Sequence, residues 1–347
     1  MAAQAKHFRE NSITQRHQRP VFVIGCHRSG TNLLYDTLLS SGGFAVYRGY
    51  LPVYKMLIPK FGDPADPQSL KTMLSVWLRS NAFKKSELDA EALTQELTQR
   101  CKSGGDFIRI VMEAIARRQG AIRWALYDPD NLLYLARIRA EVPDALFVHI
   151  IRDGRDIALS LKKMGGFRPF PWNRSVRSLR ETAIYWEWMV EKGRSYAREI
   201  PGDYLEVHYE SLIQDPRQTL RALGEFLEHD LDYDRIRQQG QGTLAESNSS
   251  FREEGPQGDG TVNRWKQRLN ANEVAGIEAL VGDCLRSLGY QLESGSAVRQ
   301  GLQEKMMKEL YQQFLNTKLW LKGSTPLGRF TTLEPLGIDQ PADANQT

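Results

Sequence analysis

Cysteine is scarce: the 347-residue chain has three, Cys26, Cys101 and Cys284. They are far apart and odd in number, and no CxxC or Cys/His spacing surrounds them. Neither a disulfide framework nor a metal site is expected, and a reducing compartment fits. Long apolar runs are also missing. No stretch approaches the length of a membrane span. The opening residues, Met1 to Arg19, are polar and lack the apolar core of a signal peptide. No membrane anchor is therefore expected within the chain, and a cytoplasmic location is the expectation. Charge of one sign is not abundant either. The formal net charge of +4 is too small to imply a nucleic-acid partner, although it allows local basic pockets. With 41% hydrophobic and 25% charged residues, the composition is that of a globular protein of one large or two ordinary domains.

The most informative stretch is Pro20 to Leu39, PVFVIGCHRSGTNLLYDTLL. Val21 to Ile24 is a short, β-branched apolar run. A polar turn comes next, from Gly25 to Thr31, and then an apolar pattern at helical spacing. Strand, glycine-bracketed loop and helix together make an anion site, because loop amides and the positive end of the helix dipole converge on one spot. The Gly25 to Gly30 spacing is that of a nucleotide-phosphate loop. Yet Thr31-Asn32 follows Gly30 where an NTPase has Lys-Ser/Thr. The lysine for β/γ-phosphates and the hydroxyl for magnesium are missing. Arg28 supplies a fixed positive fork inside the loop instead. The competing reading is a glycine turn that only connects strand to helix.

The rest of the chain alternates strands with helices, which predicts an α/β fold with a mainly parallel sheet flanked by helices. Residues 1–19 read as a flexible arm and 20–290 as the main domain, with strands near 20–25, 44–47, 121–126, 145–151 and 205–209. Residues 67–119 read as an all-helical insertion, either scaffold or cap. Arg48 to Gly62, aromatic and basic and broken by Pro52 and Pro59, reads as a loop lining a pocket rather than a core element. Residues 177–198, 216–228 and 271–288 carry helical patterns, the last with Asn270 as N-cap. Residues 239–263, rich in Gly, Ser, Asn and Gln, read as a mobile loop. Residues 291–334 form a C-terminal helical extension, and 335–347 a disordered tail. The extension's long helix, 297–321, is amphipathic, so it docks on the domain, pairs with a second subunit as a homodimer, or rests on a membrane surface.

A second motif comes after the apolar run Ala145 to Ile151: Arg152-Asp153-Gly154-Arg155-Asp156, with Ser160 in the helix beyond. Ligands in open α/β sheets sit outside the carboxyl ends of the strands, so Arg152 is placed on the same rim as the Gly25 to Thr31 loop. Its partner there is a bound anion, or else Asp153 or Asp156. Together GCHRSGTNLL and IIRDGRDIALS resemble the sulfotransferases that use 3′-phosphoadenosine 5′-phosphosulfate (PAPS), which yield adenosine 3′,5′-bisphosphate (PAP). VHYESLIQDPRQTLRALGEFL, Ser250-Phe251 and Arg264-Trp265-Lys266 extend the resemblance over roughly 20–290.

The resemblance implies a P-loop-like sulfotransferase fold and a set of residue roles. Arg28, Ser29, Gly30, Thr31 and Asn32 would hold the 5′-phosphosulfate. Arg152 and Ser160 would hold the 3′-phosphate. Tyr209, Ser250, Arg264 and Lys266 would be later nucleotide contacts. The reaction would be in-line transfer of a sulfuryl group to a hydroxyl or amine of unknown acceptor class, with no metal and with Arg28 stabilising the leaving group. The acceptor side departs from the family. Where related members carry a base just after the second strand, this chain has Tyr47-Arg48-Gly49-Tyr50, without a carboxylate. Asp128 is the first carboxylate at the end of the third strand, so it is either the catalytic base or a plain helix N-cap. His149 and His208 read as satisfied strand residues, and His27 as a loop residue beside the donor. Two other readings stay open on sequence alone: a P-loop small-molecule kinase, and a PAPS- or PAP-binding protein without turnover.

Overall fold

The computed structural model describes residues 15–164, 177–244, 262–294 and 301–338. Five strands form one sheet: β1 (Val21–Gly25), β2 (Phe44–Ala45), β3 (Arg123–Tyr127), β4 (Leu146–Ile151) and β5 (Tyr204–His208). The order across the sheet is β2-β3-β1-β4-β5. Every pairing among them is parallel, with Val23 beside Tyr127 on one side of β1 and Gly25 beside Ile150 on the other. β1 and β4 are buried along their whole length, which is why they read as unbroken apolar runs. Alternate residues face opposite sides. Phe22 and Ile24 enter one core, while Val21 and Val23 enter the other.

Helices cover both faces. The second core takes α1 (Thr31–Ser40) and, further along the chain, the helix Pro216–Leu227. The first core takes the helices of the insertion: α2 (Pro67–Trp77), α3 (Ala90–Arg100) and α4 (Gly104–Gln119). Trp77, Phe107 and Ile110 of these helices share one apolar cluster with Phe22 and Phe147 of the sheet. The insertion is thus part of the core. Next come α5 (Leu135–Glu141), α6 (Gly154–Met164), α7 (Leu179–Ala197), α8 (Pro216–Leu227), α9 (Ala271–Ser287) and α10 (Leu302–Ser324). Side chains cap the starts of α7, α8 and α9. Ser178 with Glu181, and Asn270 with Glu273, each form a reciprocal capping box.

Three segments differ from the sequence expectation. Arg48 to Gly62 is not a plain pocket loop. Val53–Leu57 forms a π-helical turn running into the short helix Ile58–Phe61, and Leu51, Val53, Tyr54, Met56 and Leu57 are core residues. Pro59 does not break this helix because it occupies the first turn, where no amide is needed. Residues 15–19 are anchored, with Arg16–Gln18 in a 3₁₀ turn and Arg19 paired to Asp203 at 2.7 Å. The first residues of the expected tail are also fixed: the Asn81 amide donates to Gly337 O at 3.0 Å, Ser80 bridges Ile338, and Leu336 is buried. Residues 1–14 and 339–347 lie outside the described residues, as does most of the expected 239–263 loop. His149 is the core residue expected, but only half satisfied, since its buried Nε2 has no hydrogen-bond partner among the described residues. Its Nδ1 meets the Tyr204 hydroxyl at 2.5 Å, and burial pushes its proton affinity down to about 3.

α10 docks on the domain through Tyr311 and Leu315, with Phe314 and Leu319 beside them, while Leu302, Met306 and Leu310 stay exposed. No helix among the described residues is long and apolar enough to cross a membrane. An ion pair also crosses this contact. Lys308 Nζ lies 2.7 Å from the carboxylate of Glu187 on α7, which is buried under α10. Burial raises the Glu187 carboxyl to about 7, against the pull of Lys308. Lys308→Met leaves that carboxyl without its cation, and its proton affinity rises further. The folded state then binds a proton that the unfolded state releases, so the loss grows with pH. Urea unfolding of the variant is expected to show a loss of about 3 kcal/mol at pH 8, less at pH 5.5, and recovery in Glu187→Gln/Lys308→Met. An equal loss at both pH values contradicts this reading.

Candidate functional site

The loop between β1 and α1 is shaped by two close approaches. A Cβ on Gly25 would lie 2.6 Å from Ile150 O of the neighbouring strand. Gly30 has φ +97°, and a Cβ there would lie 2.6 Å from the Tyr209 ring. These contacts press the loop against β4 and the start of the helix after β5. Arg28 adopts φ 73°, a left-handed conformation that costs a non-glycine residue strain. That conformation accompanies a specific contact: Arg28 Nε donates to Ser160 Oγ at 3.1 Å. Ser29 is buried, and its hydroxyl oxygen has no hydrogen-bond partner among the described residues. Gly30 occupies the N-cap of α1 and offers no side-chain acceptor to the first amides of the helix. A cradle of unsatisfied donors is what an anion needs. Thr31 is buried at the start of α1, and Asn32 is exposed beside it.

The second motif arrives on the same rim because β4 is parallel to β1. Arg152 leaves β4, donates to Arg28 O at 3.4 Å and lies with its guanidinium 4.3 Å from the centre of the Tyr209 ring. Asp156 is a distant partner at 3.5 Å. Asp153 is engaged elsewhere, with Arg155 at 2.7 Å, and Arg155 in turn reaches the buried Glu278. Of the two internal partners weighed for Arg152, Asp156 pairs with it and Asp153 is taken by Arg155. Asp156 accepts from the Trp265 amide at 2.9 Å, which ties the Arg264-Trp265-Lys266 stretch to α6.

These elements enclose a cleft of about 340 Å³ lined by Arg28, Arg152, Ser160, Arg264, Lys163 and Asp156, with Leu159 and Met164. Four basic side chains face one carboxylate, so the cleft selects anions. Lys163 is a lining residue that the sequence reading missed. Its signal was its place three residues after Ser160 on one helix, which puts both on one face. Tyr209 is buried as a support beneath Arg152 and Gly30. Lys266 points elsewhere, pairing with Glu293 at 2.8 Å, and does not line the cleft. Ser250 lies outside the described residues.

On the other side of β1, the end of β3 builds a second cluster. Asp128 is buried, and its Oδ1 accepts from the Asp130 amide at 3.0 Å. This is the cap expected for Pro129–Tyr134, which is a 3₁₀ turn leading into α5. Its Oδ2 makes no hydrogen bond of normal length, although the Tyr50 hydroxyl is near enough to feel its charge. Burial and then the charge of Asp130 push the Asp128 carboxyl up to about 6. Asp130 goes the other way. Burial opposes its charge, but His27 and Lys55 hold it well below the usual carboxylate range. His27 Nε2 lies 3.2 Å from Asp130 Oδ2, and Lys55 Nζ forms an ion pair with the same oxygen. Sequence reasoning missed both Asp130 and Lys55. No group of His, Cys, Asp and Glu among the described residues forms a metal cluster.

A parallel sheet with a glycine-bracketed cradle after its central strand and a basic cleft beside it make a P-loop-like fold with two places suited to anions. The chain belongs to the sulfotransferase family, whose model matches residues 20–234. It is 26% identical over 222 residues to a protein of Caenorhabditis briggsae and 30% identical over 114 residues to one of Caenorhabditis elegans, each named "Putative protein-tyrosine sulfotransferase". The matched stretches cover 61% and 32% of this chain, and 66% and 42% of those relatives, less than two thirds of their length. Among solved structures, the sulfotransferase domain from the curacin biosynthetic pathway aligns at TM-score 0.49 and 16% identity, covering 78% of this chain and 98% of that one.

Gly30 offers a direct check of the cradle. Gly30→Ala is expected to destabilise the protein by about 1–3 kcal/mol, from the positive φ and the collision with Tyr209. Thermal unfolding measures it. An unchanged melting temperature would show that the loop is not held against Tyr209.

Proposed function

We propose that this protein transfers a sulfuryl group from PAPS to a hydroxyl or amine. The observation that carries the reading is the pair of anion stations on one rim, the loop cradle and the basic cleft, joined by the Arg28 to Ser160 contact. A nucleotide with charged groups at both its 5′ and 3′ ends fits two such stations, and ATP fills only the first. The missing lysine after Gly30 argues against a kinase for the same reason.

In this reading the amides of Ser29 to Asn32 and the Ser29 hydroxyl hold the 5′-phosphosulfate. Arg152, Ser160, Lys163 and Arg264 surround the 3′-phosphate. Arg28 lies between the two stations and stabilises charge as it grows on the leaving phosphate oxygen, a task that needs fixed donors and no proton transfer. Tyr209 keeps Arg152 and Gly30 in register. Lys266, held by Glu293, takes no part. Asp128 acts as general base through its unbonded Oδ2 while Oδ1 keeps the cap, so the two roles weighed from sequence do not exclude each other. A carboxyl lifted toward neutrality is a better base than an ordinary one. This group supports turnover over a binding protein that only stores the nucleotide.

Calorimetry decides the donor. PAP is expected to bind at least about tenfold more tightly than ATP, and Arg152→Ala to weaken PAP about 10- to 100-fold, as for loss of a charge-assisted contact. Equal affinity for PAP and ATP, or no effect of Arg152→Ala, overturns the reading. The pH profile decides the base. With phenol, sugar and amine acceptors offered, transfer should fall as pH drops through about 6, because Asp128 becomes protonated. Asp128→Asn preserves the cap and should lower the rate about 10²- to 10⁴-fold with no remaining step near that pH. A profile unchanged in the variant assigns the base elsewhere.

A further inference from the structure

We propose that Lys55 is a catalytic residue that grips the sulfuryl group being transferred, held in position by Asp130. The inference rests on the donor reading above and adds the residue that acts on the far end of the donor.

The sheet order supplies the direction. β3 and β4 lie on opposite sides of β1, so the Asp128–Asp130 turn and the Arg152–Ser160 segment flank the loop from opposite sides. The basic cleft occupies the β4 side and takes the 3′-phosphate. The end of the phosphosulfate that carries the transferred group therefore points to the β3 side, where an acceptor can approach in line. Strand β3 itself offers no cation there. Its one basic residue, Arg123, is buried at the opposite end and donates to Arg19 O and Leu227 O.

Lys55 fills that place from another element. It is the one polar side chain, bar the Tyr54 hydroxyl, on the π-helical turn Val53–Leu57, whose other members are buried. Such turns are rare and concentrate at functional sites. Here it sets a lysine on a rigid apolar shelf, with the Lys55 side chain still 29% exposed. The ammonium pairs with Asp130 Oδ2, the oxygen that also meets His27 of the loop, so a single carboxylate separates it from the cradle. Nζ also donates to the Tyr50 hydroxyl at 3.3 Å, and Tyr50 neighbours the Asp128 carboxyl. Contacts thus link Lys55 to both the cradle and the base. Burial alone would weaken its hold on a proton, but Asp130 and Asp128 strengthen it, so it remains an ammonium.

In the transfer step the bond from sulfur to the bridging phosphate oxygen breaks, and its electron pair stays on that oxygen beside Arg28. A bond forms from sulfur to the acceptor oxygen or nitrogen, and the acceptor proton passes to Asp128. Lys55 neither gives nor takes a proton. It supplies a fixed charge to the sulfuryl oxygens as the group moves across. Asp130 is a positioning residue, because it acts through Lys55 and His27.

Donor binding without any acceptor tests this. PAP lacks the sulfuryl group and PAPS carries it. Calorimetry on the full chain is expected to show that Lys55→Met weakens PAPS about 10- to 100-fold and leaves PAP within about twofold. Lys55→Arg should recover most of the PAPS affinity, and Asp130→Asn should repeat the Lys55→Met pattern more mildly. Lys55→Gln serves if the methionine variant does not fold. Equal weakening of both nucleotides, or no weakening of either, overturns the assignment of Lys55. Failure of the unsubstituted protein to bind PAP overturns the donor reading instead.

Discussion

Parallel strands end on the same edge of a sheet, and the meeting of the loop cradle, Arg152 and the Asp128–Asp130 turn depends on that constraint. Tyr127, Gly25 and Ile151 close β3, β1 and β4, three neighbours in the sheet. The segments leaving these strands must therefore meet on one rim: the Asp128–Asp130 turn, the loop cradle and Arg152. Hydrogen-bonded register fixes the spacing, since Val23 pairs with Tyr127 and Gly25 with Ile150. Burial of β1 and β4 on both faces makes that register hard to shift, because a slip of one residue would exchange the two cores. The chemistry is thereby placed by the hydrophobic effect, and loop sequence only selects which groups appear.

The rim is electrostatically divided. On the β4 side, basic groups outnumber acidic ones and Arg155 takes up Asp153, leaving Arg152 oriented by the Tyr209 ring and the Arg28 carbonyl. On the β3 side, charges come in balanced contact: Asp130 binds Lys55 and His27 while Asp128 is driven toward its neutral form by burial and by Asp130. Two carboxyls two residues apart thus have opposite proton affinities. This is the arrangement in which one group stays a structural anion and the other trades a proton. The first side suits the static binding of phosphate, and the second suits a group that changes its charge during a reaction.

The parts legible in the sequence were those whose local pattern and tertiary role agree. The β1 loop, the apolar β4 run and Arg152 each carry a signal within a few residues, and the structure brings them together as expected. His149 was legible as a core residue because a lone polar group in a fully apolar strand needs a partner, here Tyr204. The segment Arg48 to Gly62 was not legible. A π-helical turn has no periodicity that apolar patterning can detect, and Pro52 and Pro59 mimic loop punctuation while Pro59 opens a helix. Reading it as a loop hid Lys55. The same limit applies to Asp130, whose importance depends on a lysine far away in sequence, and to Lys266, whose neighbour Glu293 is also distant. Leu336 and Ile338 belong to a polar, proline-containing end held by backbone pairing with Asn81 and Ser80 and by burial of Leu336 in the core, partners distant in sequence.

The central claim is that one rim presents two anion stations set apart by the width of a strand. A crystal structure of the protein with PAP tests it most directly. The account predicts the 5′-phosphate over the Ser29 to Asn32 amides and the 3′-phosphate within hydrogen-bond reach of Arg152 and Ser160, with the adenosine on the β4 side and the Asp128–Asp130 cluster open. A nucleotide bound with its 3′-phosphate on the Lys55 side, or seated away from the loop, contradicts it.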